Sequence, residues 1–440
     1  MILDSLKERL EEAVTNATFR NVFGYAFGCS ELSEFYSRKM PEHRLSDGEE
    51  AITVKGMALT HLVSELNPLL ERYKSPTSGL IGNGLYLFAG SAASPRFPSV
   101  EEYAKVLILA AAKIGSERVI NLFSGWLEDK PIRIYLCTLL KGIETQKPLS
   151  SIEGMCLYTL PRNMSDFPRS LYFRIDRDSF RHEQYAKRAV LAFEHDVGPA
   201  LYKPIVEKEN YIRSLISRKI VNQKLSSIKL DRLCWAMSLT INNYVDWFMH
   251  WEDFGELDAF FYNAGYGTRL NETKSPSIAI FSDEDLRCAL SLHSLLEKFT
   301  KLDLSIRRWL RSKRSPLNDR VLNGDALIEL RIALESVFLS DDKGVVGEKR
   351  QRLAIRGAWL LGEKFEQREE YFRTLKKAYD SASTIIHAGD IKPKEVEKIN
   401  KTITEAQDLC RKAILEILEM KKMPIWTDLI LGKDVRKISS

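Results

Sequence analysis

A chain of 440 residues, 44% of them apolar and 28% charged, has the composition of an ordinary soluble globular protein and the length for two or three domains, each with its own core. No apolar run approaches the roughly 20 residues that cross a bilayer. The greasiest stretch, Val106 to Ala112, is closed at once by Lys105 and Lys113, and the N-terminus carries Asp4, Lys7 and Glu8 without a signal-peptide core. The expected location is cytoplasmic, with no membrane partner.

The six cysteines (Cys29, Cys137, Cys156, Cys234, Cys288 and Cys410) are scattered and none forms a C-x-x-C pair, so buried free thiols are expected in place of a zinc site or a disulfide frame. Charge is distributed unevenly. Residues 301–440 hold 29 Lys and Arg against 22 Asp and Glu, an excess of seven, whereas residues 1–300 hold 36 against 38. A basic C-terminal part suits contact with a polyanion.

Residues 1–130 read mainly as helices. Leu6, Leu10, Ala13 and Val14 form one apolar stripe, and Met57, Ala58, Leu62 and Leu66 form another that ends near Pro68. Between helical stretches, Ser78 to Gly84 is rich in glycine but lacks the Gly-Lys-Ser/Thr of a phosphate loop, and reads as turns. From 131 to 282 the pattern becomes short β-like runs: Ile132–Leu139, Cys156–Leu160, Leu171–Ile175, Ala189–Phe193 and Ser277–Phe281, with a helical segment near Tyr211–Ile220. Two groups there have metal-ligand composition, His182-Glu183 with Glu194-His195-Asp196, and His250 to Asp253 with Glu256 and Asp258. Neither has a ligand spacing, so solvated turns are the expectation and no metal is assigned.

From 283 to 440 the chain is helical. Asp325–Leu339 places Leu327, Leu330, Leu334, Val337 and Phe338 on one side. Glu348–Gly362 and Glu370–His387 follow. After Pro393 a long helix spaces Val396, Ile399, Ile403, Ala406, Cys410, Ala413 and Ile417 by alternating threes and fours. That heptad seam serves either a bundle core or a dimer contact. The fold class is therefore α+β: a C-terminal all-α bundle preceded by a mixed helical and β-rich region, in segments 1–130, 131–282 and 283–440.

Three stretches in order, DALIELRIALESVFL (Asp325–Leu339), EKRQRLAIRGAWLLG (Glu348–Gly362) and LKKAYDSASTIIHAGD (Leu375–Asp390), give the C-terminal third, roughly 285–425, a resemblance to the Apea-like branch of the HEPN superfamily. Members of that family pair an arginine with a histidine near the end of one helix, in the pattern Tyr-Asp-x-Arg-Ser-x-x-x-His-Gly. Here the row is Tyr379-Asp380-Ser381-Ala382-Ser383-Thr384-Ile385-Ile386-His387-Ala388-Gly389: alanine stands at the arginine position, and Ala388 precedes the glycine. The resemblance implies a metal-independent endoribonuclease effector without cofactors, acting on tRNA or another cellular RNA in antiviral defence, abortive infection or as a toxin. It further implies a homodimer through the HEPN part and an unidentified phage or cellular trigger.

Those residue types suit the chemistry. A neutral imidazole such as His387 can take or give the proton of a ribose 2′-hydroxyl near pH 7. A guanidinium grips the oxygens of the charged phosphorane, and Ser383 can orient one of these groups. With Ala382 in place of arginine, cleavage is expected to be severely impaired. Either natural decay has left a binding module, or the change was made on purpose to tame a toxic nuclease; the intact remainder of the motif favours the second. The alternative function is a non-catalytic HEPN module that binds RNA, a nucleotide or a protein. A third possibility places the activity in residues 1–280.

Elsewhere in the bundle, Arg307, Arg308, Arg311, Lys313 and Arg314 surround Trp309. They read either as an RNA contact, with Trp309 stacking on a base, or as a solvated face beside a core tryptophan. Arg331, Glu335 and Arg356 are expected in internal salt bridges, and Glu348 and Lys349 as first-turn helix residues.

Overall fold

The computed structural model describes residues 2–19, 52–71, 99–128, 130–152, 155–160, 188–199, 229–253, 266–268, 277–314, 320–341, 348–388 and 395–432. In chain order its elements are α1 (Ile2–Thr15), β1 (Ala17–Phe19), β2 (Ile52–Val54), α2 (Ala58–Leu70), α3 (Val100–Ile114), α4 (Ser116–Leu127), β3 (Pro131–Lys141), β4 (Ile143–Glu144), β5 (Leu149–Ile152), β6 (Met155–Thr159), β7 (Ala189–Pro199), α5 (229–241), β8 (Asp246–Asp253), β9 (Tyr266–Thr268) and β10 (Ala279–Ile280). The helices that follow are α6 (Asp283–Lys298), α7 (Asp303–Lys313), α8 (Arg320–Phe338), α9 (Lys349–Leu361), α10 (Phe365–Ala388), α11 (Val396–Met420) and α12 (Trp426–Ile430). The class is mixed α+β, mostly helical. Among the described residues no helix is long and apolar enough to cross a membrane. The expected strand Leu171–Ile175, the helix Tyr211–Ile220 and the glycine-rich loop 78–84 lie outside the described residues.

Two compact units arise, and neither is one continuous segment. The first comprises residues 1–139, 150–223 and 249–269, the second 140–149, 224–248 and 270–440. In the first, α1, α2, α3 and α4 share one core of Leu6, Leu10, Leu62, Leu66, Leu107, Phe123 and their neighbours. Helix α3 is buried nearly all round from Tyr103 to Ala111, which is why this stretch is so apolar without being a membrane segment. Ser99 and Glu102 close a capping box at its start. Met57, read as part of the α2 stripe, is exposed just before the helix, and Pro68 lies inside α2 instead of ending it. A six-stranded sheet runs in the order β5-β6-β7-β3-β8-β9, and two-stranded sheets pair β1 with β2 and β4 with β10. Strand β3 runs antiparallel to β7, with Cys137 opposite Ala192, and β7 pairs in turn with β6.

In the second unit the heptad seam of α11 is core: Ile403, Ala406, Cys410, Ala413 and Ile417 are all buried. Helix α8 contributes Leu327, Leu330, Leu334, Val337 and Phe338, and α9 contributes Leu353, Ala354 and Ala358. Helices α8, α9 and α10 meet at Gly357, where an added Cβ would collide with Leu375 and come within 3.2 Å of the Phe338 ring. Gly357→Val is therefore expected to lower stability by about 1–3 kcal/mol through overpacking, as read by urea denaturation; an unchanged midpoint would contradict this close approach. Residues 229–241 also belong here. Arg411 of α11 donates to the carbonyls of Leu239 and Thr240, satisfying the C-terminal end of α5.

Candidate functional site

Helix α10 turns one stripe inward and another outward. Leu375, Ala378, Ala382 and Ile385, spaced by three and four, are buried. Lys376, Asp380 and Ser383 are half-buried, and His387, in the last helical turn, is exposed. Because 376, 380, 383 and 387 are likewise spaced by four and three, these residues form one outer face that ends in the imidazole. Five residues turn a helix through about 140°, so position 382 points well away from His387.

Ala382 is fully buried. It packs in a cluster with Ala326, Leu327, Ile385 and Ile403, flanked by Ile328, Val396 and Ile399. One turn away, a Cβ built on Gly324 would lie 3.3 Å from Cγ2 of Ile385, so α8 and α10 are at close quarters here. An arginine at 382 would have to thread its four-atom stem out of this cluster before its guanidinium met water or phosphate. Alanine at this position thus has a packing role, whatever its origin.

The other residues of the row are held from neighbouring helices. Arg331 of α8 donates from Nη2 to the Tyr379 hydroxyl at 2.8 Å and from Nε to Glu335 at 2.9 Å. Burial and the Glu335 carboxylate raise the Tyr379 phenol above its ordinary value, so it stays neutral. Arg350, in the first turn of α9, donates to the Asp380 carboxylate at 2.9 Å. The Thr384 hydroxyl donates back to the Asp380 carbonyl. The internal salt bridges expected for Arg331, Glu335 and Arg356 are present: Arg356 is buried, bonds the Phe338 carbonyl and Asp341, and lies over the Trp426 ring.

The basic run on α7 divides. Arg307 and Arg311 are exposed, whereas Arg308 bonds both oxygens of Glu329 at 3.0 Å, with Arg311 3.7 Å from the same carboxylate. Arg314 is half-buried just after the helix. Trp309 is fully buried and its indole N–H donates to the Gln407 carbonyl, so it is a core side chain and not a stacking platform. Lys313 is a correction to the expected RNA contacts: it is turned inward, lies over the Trp309 ring and donates to the Asn242 carbonyl at 3.0 Å. The helix period explains both, since Trp309 and Lys313 share the face that meets α11.

Burial pushes the Lys313 ammonium down to about 8, assisted by Arg411 and opposed by Asp408. The unfolded chain keeps this proton up to about 10.5, so between those values it binds more protons than the folded chain, and stability rises with pH across that window. Relative to Lys313→Met, the parent should gain at most about 3 kcal/mol between pH 7 and pH 10.5 in urea denaturation. Parallel pH curves for the two proteins would contradict the buried placement.

Among the described residues no group of three or more His, Cys, Asp or Glu could hold a metal. Glu194, His195 and Asp196 lie on strand β7, and His250 to Asp253 on strand β8, so both segments are sheet and not the expected turns; His182, Glu183, Glu256 and Asp258 lie outside the described residues. Among the described cysteines, Cys137, Cys234 and Cys410 are buried, whereas Cys288 is exposed, unlike the expected buried thiols.

No family model, no curated protein and no solved structure matches this chain. The functional reading therefore rests on the site itself.

Proposed function

We propose that this chain is an RNA-directed effector of HEPN type, in which the outer face of α10 meets RNA and His387 is the proton-transferring group, and that the form with Ala382 binds RNA without cleaving it efficiently. The observation that carries this reading is the placement of His387: an exposed imidazole at the end of a stripe shared with Ser383, Asp380 and Lys376, in a segment with a net positive charge. An exposed ring can reach a 2′-hydroxyl and exchange its proton with solvent.

In the cleavage step the 2′-oxygen would form a bond to phosphorus as it gives up its proton, and the bond to the 5′-oxygen would break as that oxygen gains one. The products would be a 2′,3′-cyclic phosphate and a 5′-hydroxyl. The imidazole serves one of these transfers. Charge on the phosphorane is what an arginine at 382 would neutralise, and Arg350, tied to Asp380 about 10 Å along the axis from His387, is too far away to replace it. Homodimerisation, which would bring two such faces to one phosphate, belongs to the same proposal, as do tRNA or another cellular RNA as target and a defence or toxin role.

The second reading, a HEPN module that binds without chemistry, is favoured by one observation, the complete burial of Ala382 in a well-packed cluster. The two readings separate on restoring the arginine. Ala382→Arg should cleave single-stranded RNA, and the activity should vanish with His387→Ala in the same background. A folded but inert Ala382→Arg protein would leave only the binding module.

A further inference from the structure

A shallow cleft of about 380 Å³ opens in the second unit beside α8. Lys301, Leu304, Ile332, Glu335, Ser340 and Lys349 are among the residues that line it. We infer that this cleft holds one nucleotide of an RNA strand, its phosphate between Lys301 and Lys349 and its base against Leu304 and Ile332. The inference rests on the RNA reading above and adds a second contact point to it.

The two ammonium groups come from separate elements, Lys301 from the 3-10 turn Thr300–Leu302 and Lys349 from the first turn of α9. Both are exposed, and neither has an ion-pair partner among the described residues. Glu335, the carboxylate in the lining, is already engaged by Arg331, so its charge is largely compensated and the cleft remains cationic. The lining also carries apolar surface: Leu304 is 46% exposed and Ile332 half-buried, an area that water covers poorly and the flat face of a base would cover well. Ser340, exposed at the rim, can donate to or accept from a sugar hydroxyl. Two cations beside apolar surface suit a ligand with an apolar ring at one end and a phosphate at the other, and the volume falls within the roughly 300–1,000 Å³ of small-ligand sites.

Two links join the cleft to the face of α10. Glu335 accepts from Arg331, which donates to Tyr379, and Lys349 precedes Arg350, which holds Asp380. From Asp380 the outer face continues seven residues to His387, about 10 Å along the axis. A single strand of several nucleotides can therefore follow one track of alternating cations and polar groups, seated at one end in the cleft and passing the imidazole at the other.

The test is a fluorescence anisotropy titration of the full chain with fluorescein-labelled octauridylate at several salt concentrations. Lys301→Glu and Lys349→Glu should each weaken binding by roughly tenfold and lower the slope of log affinity against log salt by about 0.7, the value for one lost phosphate contact on a single strand. Leu304→Ser should weaken binding with the slope unchanged, since it removes only apolar contact. Lys401→Glu, an exposed lysine on α11, should alter neither. Octauridylate that binds with unchanged affinity and slope in both cleft variants overturns the cleft assignment and leaves the α10 reading standing. If the parent binds no octauridylate at all, both fall. Uridine monophosphate binding as tightly as the octamer would make the ligand a free nucleotide and overturn the strand assignment. Circular dichroism melts confirm that each variant is folded.

Discussion

Trp309→Ala is expected to destabilise the C-terminal unit by about 3–5 kcal/mol, the range for removing a large aromatic side chain from a packed core. The indole is fully buried between α7 and α11, and its N–H is satisfied by the Gln407 carbonyl. The Gln407 side chain in turn donates to the Ser312 carbonyl, so truncation opens a cavity beside this polar network. A destabilisation of this size would unfold a marginally stable domain. Trp309→Phe retains most of the volume and should cost less than half as much. Arg307→Ala and Arg311→Ala remove exposed side chains and should leave the denaturation midpoint within about 0.5 kcal/mol of the parent. A Trp309→Ala protein of normal stability but weak RNA binding would reverse the assignment and make the indole a base-stacking residue.

Ala382→Arg should raise RNA cleavage by up to roughly 10²–10³-fold, the most that one transition-state donor contributes. Position 382 also sets the limit on this gain. The new side chain enters the contact among α8, α10 and α11, where Ala326, Leu327 and Ile403 leave Ala382 no exposed surface. Overpacking there costs about 1–3 kcal/mol, so the variant should melt at a lower temperature than the parent while gaining activity. Under the proposed mechanism, with the 2′-hydroxyl as nucleophile, the cleavage should persist in EDTA and leave 2′,3′-cyclic phosphate ends. The activity should be lost in the His387→Ala double variant. A melting temperature equal to that of the parent would show that the arginine escapes the cluster without strain.

Much of the C-terminal bundle was legible because its signals are local and periodic. The buried residues of α8 and the seam of α11 recur every three or four positions, and such a period identifies a packed face without knowledge of the partner. The same period left the seam open between core and dimer contact; the burial of Ile403, Cys410 and Ile417 within one chain places it in the core. Trp309 and Lys313 remained ambiguous for a related reason. Their partners, Gln407 and Asn242, are far away in sequence, and no local pattern names them.

The interleaving of the two units was not legible. Residues 229–253 read as part of a mixed, partly β module without a named element; there Leu230, Leu233, Cys234 and Met237 build a helix whose end is held by Arg411, and the aromatic run at Trp247 to Trp251 builds a strand. The apolar spacing of the helix could have been found from the row itself; its attachment to α11 could not. In the site, Tyr379 to His387 was visible as a motif and the spacing of Leu375, Ala378, Ala382 and Ile385 marks an inward stripe, whereas the partners of Ala382 on α8 and α11 are far away in sequence.

The most direct measurement of the central claim is photo-crosslinking of a 4-thiouridine-containing single-stranded RNA to the full chain, followed by mapping of the crosslinked peptides by mass spectrometry. Crosslinks concentrated between Lys376 and His387 are the expected result. Crosslinks confined to residues outside the C-terminal helices, or none above the level of a scrambled-charge control protein, would contradict it.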